Sequence, residues 1–187
     1  MSNKNNVIIA GFFTKSKKNE YFNSMVFFSD KVDHYHKKKL VPFGEYTPWY
    51  DTFVKLSDSL DIPLSNLSHG PDTQQDIFFN NTKLLPLICF ESTFSNLVNS
   101  NIKNEIIINI SNDGLFGNSL APYQHLQITQ VRALEFNRYI LRAANTGLSA
   151  VINNHGEIIK YIPFNKQGAI SGIVPINLDT SFYSRYG

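Results

Sequence analysis

Cys89 is the only cysteine in the chain; it comes near the end of the apolar run Leu84-Leu85-Pro86-Leu87-Ile88-Cys89-Phe90, just before the carboxylate of Glu91. A thiol attacks a carbonyl as its thiolate, and the oxyanion formed in that attack needs a donor to hold it. A nearby lysine can serve both needs while a carboxylate moves the proton, so Cys, Lys and Glu together form a chemically complete set. The rival partner for a thiol is histidine, and His125 is the candidate, although the sequence around Cys89 is not that of a papain-like enzyme. Taken alone, Cys89 also fits a buried, inert thiol. No Gly-x-Ser-x-Gly elbow occurs, which argues against a serine hydrolase. No second His, Cys or carboxylate stands at metal spacing from His125, so no metal is expected.

Three further sets of residues could carry chemistry. Pro42, Gly44 and Pro48 make a stiff loop that would hold Glu45 in a defined place. On composition alone, Glu45 reads as a turn residue and Lys37 as a solvated charge. The stretch Ser111-Asn112-Asp113-Gly114-Leu115-Phe116-Gly117-Asn118 follows an apolar run, and its backbone N–H groups are suited to face a ligand. Its plainer reading is a strand-to-helix connection. Arg132 and Glu135 are spaced to lie on one helix face, as a surface ion pair or as a structural pair behind a site.

These residues need a folded frame, and the composition supplies one. The chain has 187 residues, 42% hydrophobic and 17% charged, which fits one domain with a sizeable core and no disorder signature. A net charge of +2, with only short lysine clusters, argues against nucleic acid. A single cysteine cannot form an internal disulfide. No apolar run is long enough to span a membrane as a helix, and the polar first residues are not those of a signal peptide.

Apolar runs bounded by turn residues predict strands over 7–13, 21–28, 32–37, 76–79, 83–89, 105–110, 148–153, 157–162 and 168–175, the first of them buried. Helices are expected over 49–60, over 93–99 with Ser92 as N-cap, and over 122–144. Residues 61–75 read as a long polar loop, and the tail over 179–187 has no closing element. The uninterrupted apolar character of residues 84–90 predicts a strand covered on both faces, with Cys89 at its end.

The block Tyr35-His36-Lys37-Lys38-Lys39-Leu40-Val41-Pro42-Phe43-Gly44-Glu45-Tyr46, followed by Ile88-Cys89-Phe90-Glu91, resembles the carbon–nitrogen hydrolase (nitrilase) superfamily and, within it, the bacterial apolipoprotein N-acyltransferases. Ser111 to Gly117, Gln124-His125, Arg132-Ala133-Leu134-Glu135, Asn145-Thr146-Gly147 and Tyr183-Ser184-Arg185-Tyr186-Gly187 extend the resemblance over nearly the whole chain. It implies an α/β fold, the nitrilase-like α-β-β-α sandwich, incomplete at the N-terminus, with residues 1–187 forming part of one catalytic domain. It also implies a Glu–Lys–Cys triad in which Lys37 matches the lysine and Cys89 the nucleophile, while Glu45 and Glu91 match two further active-site glutamates.

The implied reaction takes an acyl chain from a phospholipid onto Cys89 as a thioester. The chain then passes to the N-terminal amine of a diacylglyceryl-cysteine lipoprotein, with no cofactor. The implied location is the bacterial inner membrane, with the catalytic domain facing the periplasm. Phe90, Lys39 and Leu115 depart from the family's usual Tyr, His and Trp. The base glutamate of the triad and the flanking membrane helices have no counterpart in the sequence, so the chain is expected to be a C-terminal fragment, inactive alone. A soluble nitrilase-type amidase and a non-catalytic remnant are the alternative readings.

Overall fold

The structure is a computed structural model that describes residues 6–48, 66–99 and 103–186. The expected helix over 49–60 and the first part of the loop over 61–75 lie outside the described residues. The chain divides into two compact units, one formed by Ile8–Gln74 and the other by Gln75–Gly187 together with the N-terminal residues up to Val7.

In the first unit, strands β1 (Ile8–Lys15), β2 (Tyr21–Phe28) and β3 (Val32–His36) form an antiparallel sheet in that order. The central strand β2 carries the burial, with Phe22, Met25, Val26 and Phe27 all enclosed. The first strand forms as expected but is not buried: Phe13 is 74% exposed and Ile8 68%. The physical reason is its place at the sheet edge, where it pairs with β2 alone among the described residues. The opposite edge is closed by a side chain. Gln74 accepts from the His36 N–H through Oε1 at 2.8 Å and donates from Nε2 to the His36 carbonyl at 2.7 Å, as a neighbouring strand would. Beside it the Gly70 N–H donates to the Lys37 carbonyl, and a Cβ on Gly70 would lie 2.2 Å from the His36 carbonyl oxygen, so only glycine fits.

The second unit begins with the hairpin β4 (Ile77–Phe79) and β5 (Thr82–Ile88). It continues through a 3-10 turn (Cys89–Thr93), helix α1 (Ser95–Asn99), β6 (Ile106–Asn112), a second 3-10 turn (Asp113–Phe116) and helix α2 (Ala121–Phe136). β7 (Tyr139–Asn145), β8 (Ser149–Ile152), β9 (Ile158–Ile162) and helix α3 (Phe182–Tyr186) complete it. The sheet order is β4-β5-β6-β7-β8-β9, with β5, β6 and β7 parallel and the outer pairs antiparallel. Every residue from Leu84 to Ile88 is buried, as the continuous apolar run predicts. Pro86 is tolerated because β4 pairs with β5 only as far as Leu84, which leaves no ladder bond on that side for its missing N–H to break. Leu85, Leu87, Ile107, Ile140 and Ile152 from the sheet, with Val98, Leu126, Ala133 and Phe136 from the helices, form the core.

Three expectations need correction here. The helix expected to reach residue 144 stops at Phe136, because Asn137 turns left-handed (φ 55°) and returns its N–H to the Ala133 and Leu134 carbonyls. The residues beyond it form β7, which pairs along its whole length with β6. No strand forms over 168–175, and the tail closes on α3. Ser92 lies within the turn after β5 and does not cap a helix.

Candidate active site

Lys37 follows β3 directly, and its side chain is only 1% exposed. Its ammonium donates to both oxygens of Glu45, at 2.8 and 2.7 Å. The stiff loop supplies the carboxylate: the Gly44 and Glu45 N–H groups donate to the Val41 carbonyl, and Phe43 adopts the left-handed conformation (φ 62°). Glu45 also accepts from Asn23 Nδ2 at 2.7 Å and from the Val41 N–H at 2.8 Å. This carboxylate is therefore fixed by four hydrogen bonds from three groups, while Lys39 is exposed. The solvated-charge reading of Lys37 does not hold.

Cys89 belongs to the other unit. It begins the 3-10 turn at the end of β5, is half-buried, and takes a left-handed conformation (φ 51°) rare for a residue with a Cβ. That backbone turns the chain sharply at the strand end, and the turn is tied down on both sides. Glu91, fully buried, accepts from the Ile88 N–H at 2.8 Å. The Cys89 carbonyl receives Ser92 Oγ at 3.1 Å and lies 2.9 Å from His125 Nε2.

His125, on the first half of α2, opens a buried polar network at the C-terminal ends of the parallel strands. Its Nδ1 lies 3.1 Å from Asp113 Oδ1, which also accepts from Ser111 Oγ at 2.5 Å. Asp113 Oδ2 accepts from Arg142 Nη2 at 2.7 Å, and Arg142 Nη1 donates to Asn109 Oδ1. Asn109 in turn donates to the Leu87 carbonyl at 3.1 Å, two residues before Cys89. Asn109 and Arg142 are cross-strand partners on β6 and β7, so sheet register brings them together. Gly147 packs against Asp113, where a Cβ would come 2.1 Å from Oδ2.

Burial alone would raise the Asp113 pKa. The hydrogen bond with His125, the Arg142 charge and the Ser111 hydroxyl outweigh it and hold the carboxyl below its ordinary value. Burial pushes the Arg142 guanidinium down, while Asp113 and a Cys89 thiolate pull it back. A depressed carboxylate means that the unfolded chain binds more protons than the folded one just below the ordinary Asp pKa of about 3.9. The stability contributed by Asp113 is thus fully present above about pH 4 and is lost as pH falls through the folded value. Asp113→Asn is expected to flatten the acid limb of a stability-versus-pH curve measured by urea unfolding; an unchanged slope below pH 4 would contradict the assignment.

One oxygen or nitrogen each from Asp113 and His125 and the Cys89 sulfur lie within 4.8 Å of one another, so the structure assembles three possible metal ligands that sequence spacing keeps apart. The donor set does not fit a metal. Both carboxylate oxygens and both ring nitrogens already have partners, and the Arg142 cation sits on the same carboxylate. Arg132 and Glu135 do pair on α2, partly buried, with burial raising the Glu135 pKa against the pull of Arg132.

The carbon–nitrogen hydrolase family profile matches residues 1–181, across both units. The chain belongs to the carbon–nitrogen hydrolase family. Among curated proteins it is 34% identical over 172 residues to an apolipoprotein N-acyltransferase of Photobacterium profundum, an alignment covering 86% of this chain and 33% of the relative. It is 40% identical over 149 residues to the apolipoprotein N-acyltransferase of Nitrosomonas europaea, covering 79% of this chain and 30% of that one. The chain thus spans about a third of the length of the curated relatives it matches. The crystal structure of a carbon–nitrogen hydrolase from Helicobacter pylori superposes with a TM-score of 0.66 at 18% identity, over 87% of this chain and 60% of that one. The fold is therefore nitrilase-like, as the sequence resemblance implies.

The structure pairs Lys37 with Glu45, sets Glu91 on the Ile88 N–H in the turn that carries Cys89, and brings His125 to the Cys89 carbonyl. Sequence reading missed Asn109 and Arg142 as parts of the site. The available signal at Asn109 was a polar side chain inside an apolar strand run, since a buried amide must find a partner; Arg142 lay in a stretch read as helix and gave no such signal.

Proposed function

We propose that this chain carries the nucleophile of an N-acyltransferase. Cys89 attacks the carbonyl of a phospholipid acyl ester, releases the lysophospholipid and holds the acyl group as a thioester. The α-amine of a diacylglyceryl-cysteine lipoprotein then displaces the thiolate and leaves as the amide. Lys37 supplies the cation for the oxyanion, Glu45 fixes Lys37, and Glu91 shapes the turn that presents the thiol. The observation that carries the reading is Cys89 itself, half-buried in left-handed backbone just beyond a strand buried from Leu84 to Ile88. The identity of 34–40% to apolipoprotein N-acyltransferases supports the substrate class.

The reading places the reaction at the bacterial inner membrane, on the periplasmic side. No helix among the described residues is long and apolar enough to cross a membrane. Membrane attachment and the proton-accepting glutamate are assigned to the portion of the relatives that this chain does not match. The test is a chimera in which these residues replace the matching third of the Photobacterium profundum relative, incubated with phospholipid vesicles and a diacylglyceryl-cysteine peptide. Intact-mass analysis should find an acyl adduct that Cys89→Ala abolishes, and N-acylated peptide should accumulate. Release of ammonia from small amides without either product would replace the reading with an amidase.

A further inference from the structure

Asn109 is the one polar side chain in the run Ile106-Ile107-Ile108-Asn109-Ile110 on β6, and it is fully enclosed. An amide in such a place costs stability unless both its arms find partners. They do, and in one orientation only. Oδ1 accepts from Arg142 Nη1, a group that can only donate, and Nδ2 donates at 3.1 Å to the Leu87 carbonyl, a group that can only accept. Leu87, Asn109 and Arg142 are register partners across the parallel strands β5, β6 and β7, so the three stand in one row. The row ties the buried Asp113–Arg142 pair to the end of the strand that delivers Cys89.

What the row holds is the Leu87–Ile88 peptide. Asn109 takes its carbonyl, and the fully buried Glu91 takes its N–H through Oε2 at 2.8 Å. The next held group is the Cys89 carbonyl, which accepts from Ser92 Oγ at 3.1 Å. Cys89 lies between these fixed points with φ 51°. Left-handed backbone is unfavourable for a residue with a Cβ and persists only where its surroundings over-determine it. We propose that Asn109 is a positioning residue for the nucleophile: by fixing the Leu87–Ile88 peptide, it keeps Cys89 in the left-handed conformation that sets the direction of its thiol. Released on that side, the strand end relaxes toward extended backbone and Sγ leaves its place. Asn109 exchanges no proton, and its effect passes through the backbone alone.

This inference rests on the reading of Cys89 as nucleophile, but its first measurement needs no acyl donor, so either can fail alone. Because the chain has one cysteine, 13C-cysteine labelling of all 187 residues gives a single pair of Cα and Cβ signals. In the parent that pair should report left-handed backbone; shifts of extended backbone would overturn the proposal and need no variant. Asn109→Asp keeps the oxygen for Arg142 but sets a second acceptor against the Leu87 carbonyl, while Asn109→Ala removes the bond without adding charge. Both should move the Cys89 shifts toward extended values. In the chimera with the Photobacterium profundum relative, both should lower the rate of acyl-adduct formation at saturating phospholipid by about 10²-fold, with half-saturation unchanged, as when a reacting group is displaced by about 1 Å. Variants that unfold at lower urea yet keep the parent's Cys89 shifts and saturating rate would make Asn109 a structural residue only and sink the idea.

Discussion

Replacing Lys37 by methionine in the chimeric acyltransferase should slow acyl-thioester formation at Cys89 by about 10²–10³-fold, the usual loss when one preorganised oxyanion donor is removed. Methionine keeps the unbranched apolar stem and removes only the ammonium. The side chain is almost completely enclosed, and an ammonium has three donors, of which Glu45 takes two. Glu45→Gln should give a smaller defect, because an amide can still contact the ammonium through its one oxygen. The decisive comparison is a time course of the acyl adduct by mass, alongside the alkylation rate of Cys89. A Lys37→Met adduct rate within a few-fold of the parent would remove Lys37 from the mechanism.

The second large effect is on stability. Arg142→Met should destabilise the chain by about 3–5 kcal/mol, the cost of leaving a buried charge without its partner. Arg142 and Asp113 are both fully buried as side chains, and the guanidinium also satisfies Asn109 and the Leu148 carbonyl. Removing both charges with Asp113→Asn and Arg142→Met should cost clearly less than the sum of the single changes, because neither then strands the other. Urea unfolding of the four proteins closes this cycle. Strict additivity would mean that the pair does not act as a unit.

Different parts of this fold were legible in the sequence for different reasons. β5 was readable because an unbroken apolar run has few other solutions, and the β8–β9 hairpin because turn residues separate two strand-like runs. β7 was misread as helix because Leu, Arg and Ala favour helices and continue the pattern of α2. What decides the matter is non-local: pairing with β6 and a single left-handed residue at Asn137. The burial of β1 was overestimated because apolar composition does not reveal an edge position. At the site, Cys89 and Glu91 stood out through their place beside the apolar run, and Lys37 and Glu45 through resemblance. Asp113 was seen only as part of a polar loop, since its partners His125 and Arg142 meet it through tertiary packing.

The Gln74 side chain that stands in for a strand beside β3 has a kinetic consequence. The His36 amide is held by a bond that opens only when the Gln74 side chain detaches. The outward amides of β1 have no such latch among the described residues. Hydrogen exchange across this small sheet should therefore be lopsided, slow at the side-chain-sealed border and fast at the other, although both are edges of the same three strands. Gln74→Ala should erase that asymmetry and leave the two borders exchanging alike.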